Sequence, residues 1–136
     1  MTDLQIAKNN LAGHTICLCK DGQCLFSEKR GVAPMMEFIA KGVDLRGYAV
    51  ADKVVGKAAA MLFVKCGVQA VFAQTLSESG KRFLCEHGVT CEYETLIDRI
   101  INRAGTDMCP MERAVLTCEN VEEGYVLIGN QLKRLG

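Results

Sequence analysis

The chain has 136 residues, 49% of them hydrophobic, with 16 basic and 16 acidic side chains and a formal net charge of zero. That length suits one compact domain, residues 1–136, with a real core. Balanced charge argues against a nucleic-acid scaffold, whose mark is a strongly basic face, and no apolar run is long enough to span a bilayer. Met1 to Lys8 carries an early acid and no continuous apolar stretch, so no signal peptide is expected. Eight cysteines in such a chain point to reduced thiols in the cytoplasm.

In chain order, Leu4 to Asn10 reads as a short helix. His14–Lys20 and Gln23–Glu28 read as strands, joined by the hairpin signal Asp21-Gly22. With a two-residue turn, Cys19 faces Cys24 and Cys17 faces Phe26, and both faces of the hairpin are apolar. Pro34 to Ala40 is helical, with Pro34 in the first turn. Gly47 to Ala51 is a strand, and a helix through Cys66 follows it. Val68 to Ala73 is a buried strand. Thr75 or Ser77 opens a helix running to His87, with Thr75-x-x-Glu78 as a capping box and Gly88 as the stop. Val89 to Tyr93 is a strand, and Glu94 to Asn102, Pro110 to Thr117 and Val121 to Leu135 are expected helices. The alternation implies a three-layer α-β-α domain with a mixed sheet and an N-terminal hairpin.

Ala51 to Ala60 concentrates the chemistry. On a helix begun near Asp52, Lys53, Gly56, Lys57 and Ala60 make one stripe that is almost bare of side chain. Helix-terminal N–H groups, the helix dipole and two ammonium groups together favour a phosphate or carboxylate. Asp52 suits an N-cap whatever the function, and paired lysines on a helical face are often simply solvated. Gly56 costs about 1 kcal/mol against alanine inside a helix, so a neighbouring element or a ligand is expected to approach the backbone there.

A second cluster runs from Asn102 to Glu112. Cys109 falls at an N-cap, where the dipole favours the thiolate, and Glu112 either moves a proton or caps the same turn. Asn102, Arg103, Thr106 and Asp107 make a loop rich in hydrogen-bonding groups, and Arg30 in Glu28-Lys29-Arg30-Gly31 could join an anion site. No metal site is expected. No Cys-x-x-Cys occurs, and although Cys17, Cys19 and Cys24 could converge on one hairpin face, no fourth zinc ligand accompanies them. Gly-x-Ser-x-Gly and the P-loop pattern are both missing, and no cofactor is implied.

The segments Glu28-Lys29-Arg30-Gly31-Val32-x-Pro34, Ala51-Asp52-Lys53-Val54-Val55-Gly56-Lys57-Ala58-Ala59 and Asn102-Arg103-x-Gly105-Thr106-Asp107-x-Cys109-Pro110-Met111-Glu112 resemble domain-of-unknown-function family 1893 over nearly the whole chain. The resemblance implies a cytidine-deaminase-like fold with a five-stranded mixed sheet. It does not carry zinc deamination, because Ala51-Asp52-Lys53 offers no imidazole or thiolate and Cys109-Pro110 reverses the deaminase order. Two readings follow. One is a metal-independent enzyme acting on a phosphate-bearing or nucleotide-like molecule, with Lys53, Cys109 and Glu112 catalytic and Asp52, Gly56, Lys57, Arg30, Asn102, Arg103, Thr106 and Asp107 binding. The other is a non-catalytic sensor of a nucleotide or ADP-ribose-type ligand.

Overall fold

In a computed structural model, residues 1–102 and 104–135 are described. Six helices and five strands follow one another: α1 (Asp3–Asn9), β1 (Ile16–Lys20), β2 (Gln23–Ser27), α2 (Ala33–Ala40), β3 (Ala49–Val55), α3 (Lys57–Lys65), β4 (Ala70–Ser77), α4 (Glu78–Glu86), β5 (Thr90–Ile97), α5 (Pro110–Ala114) and α6 (Val121–Leu135). They build a five-stranded mixed sheet in the order β2-β1-β3-β4-β5. β1 is antiparallel to β2 and to β3, while β3, β4 and β5 run parallel. The Asp21-Gly22 turn places both residues at positive φ, and the register sets Cys19 opposite Cys24 and Cys17 opposite Phe26.

The two faces are covered unequally. α1 lies over Cys17, Cys19, Ala49, Ala51 and Phe72 through Leu4 and Ala7, joined by Leu11 just beyond its end. The opposite face carries Ile16, Leu18, Val50, Val71 and Ala73 into the larger core, with Met61, Leu62, Phe63, Phe83 and Leu84 of α3 and α4. Both parallel crossovers deliver their helices to this side, as connections of one hand in one direction must. α6 closes it along α3, and Gly124 lies so close to Met61 that a Cβ there would meet the Met61 Sδ at 2.9 Å. Among the described residues no helix is long and apolar enough to cross a membrane.

The elements differ from expectation at four places. β3 runs on to Val55 because Val54 and Val55 pair with Thr75 and Leu76 of β4. Asp52 and Lys53 are therefore strand residues, the α3 N-cap is Gly56, and the expected stripe of Lys53, Gly56, Lys57 and Ala60 does not form. Thr75 likewise belongs to β4, and Ser77 alone caps α4 by accepting from Gly80 N–H at 3.0 Å. The helix expected from Glu94 is absent: Thr95, Leu96 and Ile97 continue β5 against Thr75, Leu76 and Ser77. Finally, the cysteines are not all reduced, since Cys19 and Cys24 form a cross-strand disulfide while six others are free.

Candidate functional site

β3 and β4 each end by turning into the helix that follows, so together they present the starts of α3 and α4 at one edge of the sheet. Open α/β sheets bind ligands at this edge. The start of α3 has no side-chain cap of its own, because its N-cap is glycine. The vacancy is filled from α5. Glu112 Oε1 accepts from Lys57 N–H at 2.7 Å, and Oε2 accepts from Ala58 N–H at 2.8 Å. A Cβ at Gly56 would fall inside that carboxylate, which is the close approach the glycine permits. Gly80 of α4 serves the same junction, since a Cβ there would stand 3.0 Å from the Gly56 carbonyl carbon.

Glu112 is buried, and burial raises its proton affinity, while the Ala58 and Lys57 N–H groups and the Lys57 charge act against that rise. Lys57 is also buried, with its ammonium 2.5 Å from Glu119 Oε2 and donating to the Leu116 carbonyl at 3.2 Å. The other oxygen of Glu119 meets Arg82 at 3.2 Å. Hydrogen bonding from Lys57, then from Arg82, holds the Glu119 carboxyl below its usual range.

Between these groups lies a cavity of about 160 Å³ lined by Lys57, Ser79, Arg82, Arg99, Ile100, Met108, Glu112 and Leu116. Three of the lining side chains are cationic and one is a carboxylate. A wider depression of about 400 Å³, which shares Met108 with it, is lined by Asn102, Asp107, Pro110, Arg113 and Arg134.

The expected site residues are distributed as follows. Lys57 and Glu112 line the cavity, and Gly56 lies against the Glu112 carboxylate without lining the cavity itself. Asn102 and Asp107 border the depression. Thr106 is tied into its own loop, where its N–H donates to Asn102 Oδ1 at 3.0 Å, while Asp107 binds Arg113 at 2.5 Å. Cys109 is the N-cap residue of α5, makes no side-chain capping bond and packs against the larger core. Lys53 and Arg30 are exposed, and neither borders the cavity. Arg103 lies outside the described residues. Asp52 is buried on β3, where its Oδ1 accepts from Lys53 N–H at 2.7 Å and desolvation pushes its pKa up to about 7.

Ser79, Arg82, Arg99 and Glu119 were missed. Ser79 and Arg82 are three apart at the start of α4, and applying the strand-end rule to β4 as well as β3 finds them. Arg99 and Glu119 carry no local signal, because only the return of the chain after β5 brings them here. The start of α3, Gly56-Lys57-Ala58, offers no imidazole or thiolate, so the residues at this edge do not fit a zinc ion.

This arrangement defines an α/β domain with a small, cation-lined cavity at the carboxyl edge of its parallel strands. The chain belongs to the DUF1893 family, a domain of unknown function, whose model matches residues 6–132. It is similar to the DUF1893 family protein TM1506 of Thermotoga maritima, with 28% identity and a TM-score of 0.76 over 89% of this chain and 80% of that one. A diaminohydroxyphosphoribosylaminopyrimidine deaminase/5-amino-6-(5-phosphoribosylamino)uracil reductase of the same organism matches with 18% identity and a TM-score of 0.47, over 67% of this chain and 34% of that one. No curated protein matches.

Proposed function

We propose that this chain binds a small phosphate-bearing or nucleotide-like molecule at the carboxyl edge of β3 and β4. The observation that carries the proposal is the convergence of Lys57, Arg82 and Arg99 on one cavity beside the start of α3. Guanidinium groups take up phosphate in paired, planar geometry, and a partly enclosed cavity strengthens each contact. About 160 Å³ admits a phosphate or a base but not both, so a nucleotide would extend over Met108 into the neighbouring depression. The chemistry is that of a binding or sensing domain, and six free cysteines suit a cytoplasmic setting.

An enzymatic version rests on Glu112, the one expected catalytic residue bordering this cavity. Its burial raises its proton affinity, as a group that moves a proton requires. Turnover of a bound phosphate ester by the wild type, lost in Glu112→Gln with binding intact, would favour that version.

The test of binding is calorimetric titration of the purified chain with AMP and with adenosine at low and high salt. AMP binds at least about tenfold tighter than adenosine, and Arg82→Ala or Arg99→Ala removes that preference. Equal affinity for the two, or a preference untouched by either arginine variant, overturns the proposal.

A further inference from the structure

We infer that Cys17, Cys19 and Cys24 form a thiolate site for a soft monovalent cation, cuprous copper, once the Cys19–Cys24 disulfide is reduced. This site lies away from the cation-lined cavity, on the sheet face that α1 covers. Cys17 and Cys19 alternate along β1 on that face, and Cys24 stands opposite Cys19 on β2. Their three Sγ atoms lie within 4.8 Å of one another, with Cys17 Sγ 3.6 Å from Cys19 Sγ. Metal–thiolate bonds of roughly 2.3 Å around a trigonal centre put sulfurs about 4 Å apart. The Cys17–Cys19 pair is thus within a few tenths of an ångström of that spacing.

The donor set selects the ion. Three sulfurs with no imidazole or carboxylate make a soft site, and thiolates favour cuprous copper. A structural zinc would want a fourth ligand, and among the described residues no other metal-ligating side chain joins this cluster. Leu4, Ala7, Leu11, Ala51 and Phe72 keep water from the sulfurs, while the half-buried Cys24 gives access.

The steps balance with a dithiol as reductant. It supplies two electrons and two protons, the Cys19–Cys24 bond breaks, and the reductant leaves as its own disulfide. Cuprous copper then forms three copper–sulfur bonds and releases three protons, with no change in oxidation state.

The test titrates the full chain with cuprous copper against bathocuproine disulfonate under anoxic conditions, before and after dithiol reduction. The reduced chain withholds one equivalent of copper and gains ultraviolet thiolate-to-copper absorption, whereas the oxidised chain does neither. Cys24→Ser lowers the affinity at least about tenfold. The double variant Cys85→Ser/Cys91→Ser, whose thiols lie at α4 and β5, leaves it unchanged. Equal binding by oxidised and reduced wild type, no copper withheld after reduction, or loss confined to the Cys85/Cys91 variant would overturn the assignment. The oxidised-against-reduced comparison needs no substitution, so it stands even where a cysteine variant fails to fold.

Discussion

Replacing Gly56 by alanine tests the junction at the heart of the site. Its φ of −108° and ψ of −169° are open to any residue, so the substitution strains no backbone. The new methyl nevertheless falls where the Glu112 carboxylate now sits, and the carboxylate must leave. Two hydrogen bonds to a charged acceptor are then lost, at 2.7 and 2.8 Å, each worth roughly 1.5–3 kcal/mol. The burial cost that raises the proton affinity of Glu112 is recovered at the same time, which offsets part of the loss. A net destabilisation of about 2–3 kcal/mol is expected from Gly56→Ala, and about the same from Glu112→Ala, each near 10 °C or less in Tm for a chain of this size. Because both variants remove one contact, the double variant should cost little more than either alone. Urea unfolding of all four proteins reads this directly, with an expected coupling of about 2 kcal/mol. Independent sites add within about 0.5 kcal/mol, so a double loss equal to the sum of the singles refutes the lock.

Asp52 gives a pH signature. Its folded pKa, pushed to about 7 by desolvation, exceeds the ordinary 3.8, so between those values the folded chain holds a proton that the unfolded chain has lost. Stability therefore falls as pH rises from about 4 to 7. Asp52→Asn, which keeps the oxygen that accepts from Lys53 N–H, should match the wild type near pH 4 and exceed it near pH 8. A Tm difference that does not vary with pH would contradict this. Glu119→Gln removes the carboxylate that occupies Lys57 and Arg82, and should tighten phosphate binding several-fold in calorimetry; weaker binding would make Glu119 a ligand contact instead. Gly80→Ala brings a methyl to 3.0 Å from the Gly56 carbonyl carbon and 3.1 Å from Ser77 Oγ, the oxygen that caps α4. It should cost about 1–3 kcal/mol in denaturant unfolding, and a loss below 0.5 kcal/mol would show the junction to be looser than drawn.

The hairpin and the helices with clear ends were legible because their signals are local. Asp21-Gly22 selects its turn through two positive φ angles, and that turn sets the Cys19–Cys24 register. The start of α4 was legible only as Thr75 or Ser77, and of the two Ser77 caps the helix by accepting from Gly80 N–H. A close approach at Gly56 was expected from a helix-interior position; the approach is there, from Glu112, but Gly56 is the α3 N-cap. Beyond these points local pattern fails. Val54-Val55 and Thr95-Leu96-Ile97 are equally at home in a strand or an apolar helix, and the pairing partner β4 decides between them. That decision moves the start of α3 from Asp52 to Gly56 and takes Lys53 away from the cavity.

What the sequence by itself determined is the alternation of strands and helices, the hairpin register and the family, since each depends on neighbours along the chain. Only the tertiary structure decided that Glu112 caps a helix 55 residues away, that Glu119 joins Lys57 to Arg82, and that α1 covers the hairpin face carrying Cys17 and Cys19. Hydrogen bonds and ion pairs act over a few ångströms of space, and residues far apart in the chain reach that range only once the sheet has ordered its strands.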